Sequence, residues 1–323
     1  MELFFLSITI DIDPDIFTLG SLVLTWHGFF TLVAVAVATV LVGRWGKQQG
    51  LDQDSIYTVA VWAIIGGIVF SRLTHVIDRW GDVYSHDPLQ ALQVWTGGVT
   101  IYGAILGGFI TGGGYMLIRN HPGFLSRWNK YFPGKLEEAP LPPVGRLADI
   151  AVPALLIAMM IGRVGDIING EHVAQLTSLP WGVIYAHPAS PSNVQYGLAA
   201  SHPAVVYEML WNLGVLGIVW PLRNRLRPYG MLFALYLALY SIGKFLISFL
   251  RIADGPQDLF MDKEWVWSMG EAHFIALAVL LITVPVLLYK AQLVQPSAQP
   301  RRPRGGRDAE GDGPSTQEEQ DSP

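Results

Sequence analysis

The polar residues most able to do chemistry sit together in one stretch. Ile161 to Ala174 reads IGRVGDIINGEHVA and carries Arg163, Asp166, Asn169 and Glu171 within nine positions, at the end of an apolar segment of about twenty residues. Charged and amide groups in such a setting are costly unless they face a cavity, a ligand or each other, so they are candidates for function by default. Gly162, Gly165 and Gly170, interleaved with them, let backbone approach a ligand or a second helix closely.

Other candidates lie further along the chain. SHPAVVYEML, from Ser201, starts a helix near His202-Pro203 and places Glu208 about a turn and a half inside it. A carboxylate there needs a cation, and Arg163 or Lys244 can supply one. KFLISFLR sets Lys244, Ser248 and Arg251 at spacings of four and three, near one helical stripe. Arg72 is a fourth cation in an apolar segment. Snorkelling accounts for such a residue singly. Arg72, Arg163, Lys244 and Arg251 facing one leaflet favour a cationic pocket for an anionic headgroup, with phosphate the natural ligand. His27, in Trp26-His27-Gly28, is a lone histidine near a helix end, more often a satisfied interfacial residue than a catalyst. Tyr102 stands in the glycine-rich run GGVTIYGAILGGFITGGG, where the small residues suit tight helix packing and the phenol needs a partner if buried.

These residues need a membrane scaffold. Of the 323 residues, 51% are hydrophobic and only 15% charged, and crossing a hydrocarbon core takes roughly 20 apolar residues per helix. The sequence predicts an all-α integral membrane protein with seven spans, at 22–43, 57–76, 97–118, 147–165, 203–222, 229–250 and 270–290. Basic residues set the orientation. Fifteen of the 21 Lys and Arg fall in the connections 44–56, 119–146 and 223–228 and in the tail from Lys290. The alternate connections hold Arg79 and Lys263, and 166–202 holds neither Lys nor Arg. The N-terminus is therefore expected outside and the C-terminus in the cytoplasm. The domain reading is an extracytoplasmic segment 1–21, a membrane domain 22–290 with an irregular outer loop 166–202, and a disordered cytoplasmic tail 291–323 rich in Pro, Gly, Arg and Glu.

Several classes of function find no support. The chain contains no cysteine, which removes disulfides, thiolate metal sites and a cysteine nucleophile of its own. No zinc-ligand spacing, phosphate-binding loop or Ser-His-Asp signature occurs, and nothing points to nucleic acid. The N-terminal MELFFLSITIDIDPD lacks the basic region and cleavage site of a signal peptide. No internal repeat suggests an inverted-repeat transporter.

The order of these pieces resembles the prolipoprotein diacylglyceryl transferase family over roughly residues 20 to 290. The family signature, about GRxGNFINGE, is matched by GRVGDIINGE from Gly162 to Glu171. HPxxxYE is matched by His202, Pro203, Tyr207 and Glu208, SMG by Ser268 to Gly270, and the glycine–aromatic stretch by Gly97 to Gly103. The departures concern proton handling. Asp166 takes the place of the signature asparagine and Ala174 that of the glycine after it. The family's span-three histidine falls on Tyr102, its first-span tyrosine on His27, its span-six arginine and glutamate on Lys244 and Ser248, and its glutamine after SMG on Glu271.

The resemblance implies transfer of the diacylglyceryl group of phosphatidylglycerol to the lipobox cysteine thiol of bacterial preprolipoproteins, in a multi-pass protein of the cytoplasmic (inner) membrane. Arg163, Tyr102, Glu171 and Arg251 would be catalytic. His27, Asp166, Asn169, Gly170, Glu208 and Lys244 would bind substrate. No metal or cofactor is implied; the partners are phosphatidylglycerol, the preprolipoprotein signal peptide and the bilayer. Arg163 and Arg251 would hold the phosphate with Lys244 in support, and Tyr102, His27 or Glu171 would take the thiol proton. Two alternatives stand beside it: a diverged phospholipid- or lipoprotein-binding protein without transfer, and a small-solute transporter or channel.

Overall fold

The structure is a computed structural model that describes residues 7–20, 22–93, 101–252 and 269–294. It is mostly helical. In chain order the elements are β1 (Ile8–Ile10), β2 (Asp15–Leu19), β3 (Leu22–Thr25), α1 (Trp26–Gln48), α2 (Gln53–Asp78), short helical turns at Trp80–Tyr84 and Pro88–Leu92, α3 (Ile101–Arg119), α4 (Pro122–Tyr131) and α5 (Val144–Asn169). They continue as β4 (Val183–Tyr185), α6 (Pro191–Tyr196), α7 (Ala204–Leu222), β5 (Leu226–Arg227), α8 (Met231–Ser248), α9 (Glu271–Lys290) and β6 (Gln292–Leu293).

Six of these helices, α1, α2, α5, α7, α8 and α9, are long and apolar enough to cross a membrane. The expected span at 97–118 corresponds to α3, which is not among the six; residues 94–100 lie outside the described set. Large apolar side chains such as Leu32, Leu281 and Leu288 point away from the protein, as lipid-facing positions do. With lipid as solvent, helices associate through close packing and small residues rather than through water exclusion. α3 packs along α2, and a Cβ on Gly103 would lie 2.5 Å from the Phe70 carbonyl oxygen. α1 packs along α5, α7 joins α5 to α8, and α9 covers α8. Val152 and Leu156 of α5, Val215 and Val219 of α7, and Leu232 and Tyr236 of α8 form the central apolar cluster. At the start of α8, the buried carboxylate of Asp149 accepts hydrogen bonds from the Gly230 and Phe233 amides at 2.8 and 2.9 Å, satisfying donors that a helix N-terminus leaves open.

Three boundaries differ from the sequence reading. α1 starts at Trp26 rather than 22, because Leu22–Thr25 pairs antiparallel with Asp15–Leu19. Thr25 then caps the helix, its hydroxyl accepting from the Gly28 amide at 3.0 Å. α5 continues to Asn169, so the first polar residues assigned to the outer loop are its last turn. α8 ends at Ser248, which leaves Arg251 beyond the helix and bridged to Ala174 instead of on a continuous helical stripe. Gln292–Leu293, within the expected tail 291–323, pairs with Leu226–Arg227, and residues 295–323 lie outside the described set.

Candidate functional site

The polar end of α5 is shaped by two glycines. A Cβ on Gly165 would come 2.6 Å from the Trp26 carbonyl oxygen and 2.7 Å from the His27 Cα, so its absence allows the first turn of α1 to seat directly on α5. Gly170 adopts φ 72° and ψ 29°, a left-handed conformation that ends the helix. The amides of Gly170 and Glu171 both reach the Asp166 carbonyl, at 3.0 and 3.1 Å. The segment after it folds back over this end. Ser190 donates its hydroxyl to the Asn169 carbonyl at 2.9 Å, and Ser192 donates to the Gly170 carbonyl at 2.7 Å. β4 pairs in parallel with β1, and the Tyr207 hydroxyl accepts from the Trp181 indole at 2.8 Å, pinning the segment between α5 and α7 to α7.

Beneath this cover, side chains from α1, α5, α7 and α8 form one alternating chain of charge. Arg163 donates through Nη1 to Asp166 Oδ2 at 2.6 Å and pairs through Nη2 with Glu208 Oε2 at 2.5 Å. Glu208 Oε1 accepts from Lys244 Nζ at 2.9 Å. Asp166 Oδ1 makes a short hydrogen bond with His27 Nδ1, and Glu171 Oε2 lies 3.3 Å from the same nitrogen. Glu171 Oε1 accepts from Asn169 Nδ2 at 2.8 Å. Asn169 is buried, and its Oδ1 has no hydrogen-bond partner among the described residues. His172 Nε2 is 3.3 Å from Asp166 Oδ2, and its Nδ1 faces Arg251 Nη2 at 2.6 Å.

The expected cationic pocket is therefore better described as a balanced cluster. Arg163, Lys244 and Arg251 are set against Asp166, Glu171 and Glu208, with two histidines between. Glu208 takes both of the cations considered for it. Arg72 has other partners: it donates to the carbonyls of Ala91 and Gln90, at 3.0 and 2.5 Å, and lies over the Tyr84 ring. Ser248 has a buried hydroxyl without a partner among the described residues. Tyr102 lies in the first turn of α3, with its side chain outside the described set, as are Ser268 and the side chain of Glu271.

Four contributors went unnoticed in the sequence. His172 stands inside the motif stretch, yet its bridging position depends on a left-handed backbone, φ 60°, that no non-glycine residue advertises. Ser190 and Ser192 flank Pro191, which signals a helix start but not what the hydroxyls hold. Tyr185, beside Gly170, is outside the spans; burial, helped by the Asp166 charge, pushes its phenol up to about 12, so it keeps its proton. His27, Asp166 and Glu171 offer ligand atoms within 4.8 Å of one another. Those atoms already bond among themselves, and Arg163 holds the other Asp166 oxygen, an arrangement suited to proton sharing rather than to a metal ion.

The chain matches the family model described as prolipoprotein diacylglyceryl transferase over residues 14–133 and 136–289. It is 31% identical over 283 residues to the phosphatidylglycerol–prolipoprotein diacylglyceryl transferase of Dehalococcoides mccartyi, covering 87% of this chain and 95% of the relative. The protein of the same name from Thermosynechococcus vestitus is 33% identical over 236 residues, 72% of this chain and 80% of its own. That of Symbiobacterium thermophilum is 30% identical over 288 residues, 86% and 92%.

Proposed function

This chain belongs to the prolipoprotein diacylglyceryl transferase family, and from that premise we propose that it transfers the diacylglyceryl group of phosphatidylglycerol to the lipobox cysteine of preprolipoproteins. The observation that carries the reading is the convergence of the signature residues. Arg163, Asp166, Asn169 and Glu171 meet Glu208 of α7 and Lys244 of α8 in one buried cluster.

The reaction needs a thiolate nucleophile and charge stabilisation at the departing phosphate. Arg163 is suited to the second task. A guanidinium has five N–H donors, and the contacts to Asp166 and Glu208 use one on each terminal nitrogen. Two carboxylates thus fix the plane of the group while N–H donors remain for a phosphate oxygen. Arg251, held by His172, is the second phosphate ligand, with Lys244 in support. Lysine supplies charge without the bidentate fork. Asn169 Oδ1 is an acceptor for a headgroup hydroxyl. Gly170 gives the turn that brings Glu171 and His172 over the end of α5.

The basic connections put the tail and residues 119–146 in the cytoplasm, with residues 170–203 outside, in a seven-span protein of the bacterial inner membrane. The site then lies near the outer face, where a signal peptide crossing the membrane presents its cysteine. Purified protein with phosphatidylglycerol and a lipobox peptide tests this reading. A mass gain of one diacylglyceryl group is expected, and none when the peptide cysteine is replaced by serine. No gain, under conditions where the Dehalococcoides mccartyi relative works, would leave lipid binding without transfer.

A further inference from the structure

The reaction needs an acceptor for the thiol proton, and the cluster distinguishes its two histidines. His172 is engaged at both ring nitrogens: a guanidinium can only donate, so Nδ1 accepts from Arg251 and the hydrogen sits on Nε2, toward Asp166. No lone pair is left. His27 differs. Its Nδ1 faces two carboxylate oxygens, those of Asp166 and Glu171, which only accept, so Nδ1 carries the hydrogen. The lone pair is therefore on Nε2, which has no hydrogen-bond partner among the described residues, on a side chain 45% exposed.

Alternative acceptors among the described side chains are weaker. Both oxygens of Glu208 are taken by cations, and Tyr185 keeps its proton. Glu171 accepts from Asn169 through Oε1 and faces His27 Nδ1 through Oε2, and carboxylates as a class, at about 4.3, lie further from a thiol, at about 8.5, than imidazoles do, at about 6.5. Proton transfer is most effective when the acceptor titrates near the working pH.

We propose that His27 is the general base of the transfer and that Asp166 positions it. The proposal rests on the transferase reading above. Nε2 takes the S–H proton, and the sulfur electron pair forms a C–S bond to the glycerol carbon that bears the phosphate. That C–O bond breaks, its electron pair leaves on glycerol phosphate, and the imidazolium then returns its proton to the phosphate or to water. Asp166 fixes tautomer and ring orientation through Nδ1, as the carboxylate does in a Ser-His-Asp triad. The charged groups acting on the ring are Asp166 and Arg163 of α5 and Glu171 beyond it. The imidazolium thus forms beside two carboxylates, and its charge offsets the one that the phosphate brings into a balanced cluster.

The test uses the full-length protein, phosphatidylglycerol and a lipobox peptide, with lipidation rate read by mass at pH 7 and pH 9.5. His27→Ala is expected to lose about 10²- to 10⁴-fold at pH 7. It should recover at least tenfold relative to wild type at pH 9.5, where the peptide thiol ionises without help, and partly with added imidazole. His27→Asn keeps a donor for Asp166 without the base and should behave alike, which separates loss of the base from loss of fold. Activity of either variant within about threefold of wild type at pH 7, or a loss unchanged by pH and imidazole in both, would overturn the assignment. A wild-type protein that transfers nothing would instead overturn the transferase reading itself.

Discussion

Glu208 receives Arg163 on one carboxylate oxygen and Lys244 on the other, at 2.5 and 2.9 Å. One carboxylate thereby ties α5, α7 and α8 together at a depth where unpaired charge is costly. Arg163 continues the chain to Asp166, and Asp166 to His27 and His172. Each ion is both a partner in the fold and a candidate for the chemistry, so removing one member should be felt twice.

Arg163→Ala is expected to abolish lipidation of a lipobox peptide, since it removes the planar donor proposed for the phosphate and strands Asp166 and Glu208. Arg163→Lys separates the two effects. It restores charge beside the carboxylates but not the fork, and a hydrogen bond to a charged group contributes about 1.5–3 kcal/mol. A rate roughly ten- to a hundredfold below wild type, with unchanged thermal stability in detergent, is the expected outcome. Normal rates in Arg163→Ala would remove this residue from the mechanism.

The sharing of Glu208 predicts an order of stabilities. Glu208→Gln leaves two buried cations facing a neutral amide, and breaking a buried pair by removing one partner typically costs about 3–5 kcal/mol. Lys244→Met leaves Glu208 still paired with Arg163 and replaces the ammonium by an apolar group of similar length. Thermal unfolding in one detergent should therefore rank wild type above Lys244→Met, and Lys244→Met well above Glu208→Gln. Equal melting temperatures for the two variants would mean that Arg163 does not sustain Glu208 by itself.

Much of this arrangement was legible in the chain. The apolar windows located the six helices long and apolar enough to cross a membrane to within about five residues, since length and hydropathy decide what can cross a bilayer. Glu208 had to have a cation, and both candidates named for it, Arg163 and Lys244, pair with it. What stayed hidden was pairing across distance. Snorkelling and ligand binding predict the same composition for Arg72, and only its carbonyl partners at Gln90 and Ala91 distinguish them. His27 read as an interfacial residue because nothing local shows that Gly165 draws α5 against it. The start of α1 shifted for a similar reason: residues 22–25 are apolar enough for a span, and their pairing with residues 15–19 is a tertiary fact.

Gly170→Ala should loosen the segment that joins α5 to α7. A left-handed residue with a Cβ costs about 1–2 kcal/mol, and the added carbon would also press on the Ser190 hydroxyl and come 2.7 Å from the Tyr185 ring. The cover held by Ser190 and Ser192 would yield first. Residues 166–202 contain no Lys or Arg, so trypsin is blind to this region, and chymotrypsin, cutting near Trp181, Tyr185 and Tyr196, reports it. Faster cleavage there, together with slower lipidation, is expected. Cleavage at the wild-type rate would show that the turn tolerates a side chain and that the cover does not depend on it.

The proposed orientation can be read without background because the chain has no cysteine. Ser178 and Ser126 are both exposed, the first in the outer segment and the second in α4. Ser178→Cys and Ser126→Cys each introduce a single thiol, on opposite sides of the membrane if the basic connections are retained in the cytoplasm. A membrane-impermeant maleimide should label Ser178→Cys in spheroplasts and Ser126→Cys only after the membrane is opened. The distinction also concerns the chemistry. A cluster near the outer face meets a lipobox cysteine as the signal peptide emerges, whereas the reverse labelling pattern would put His27 and Arg163 on the cytoplasmic side. There the thiol would have to be presented before translocation.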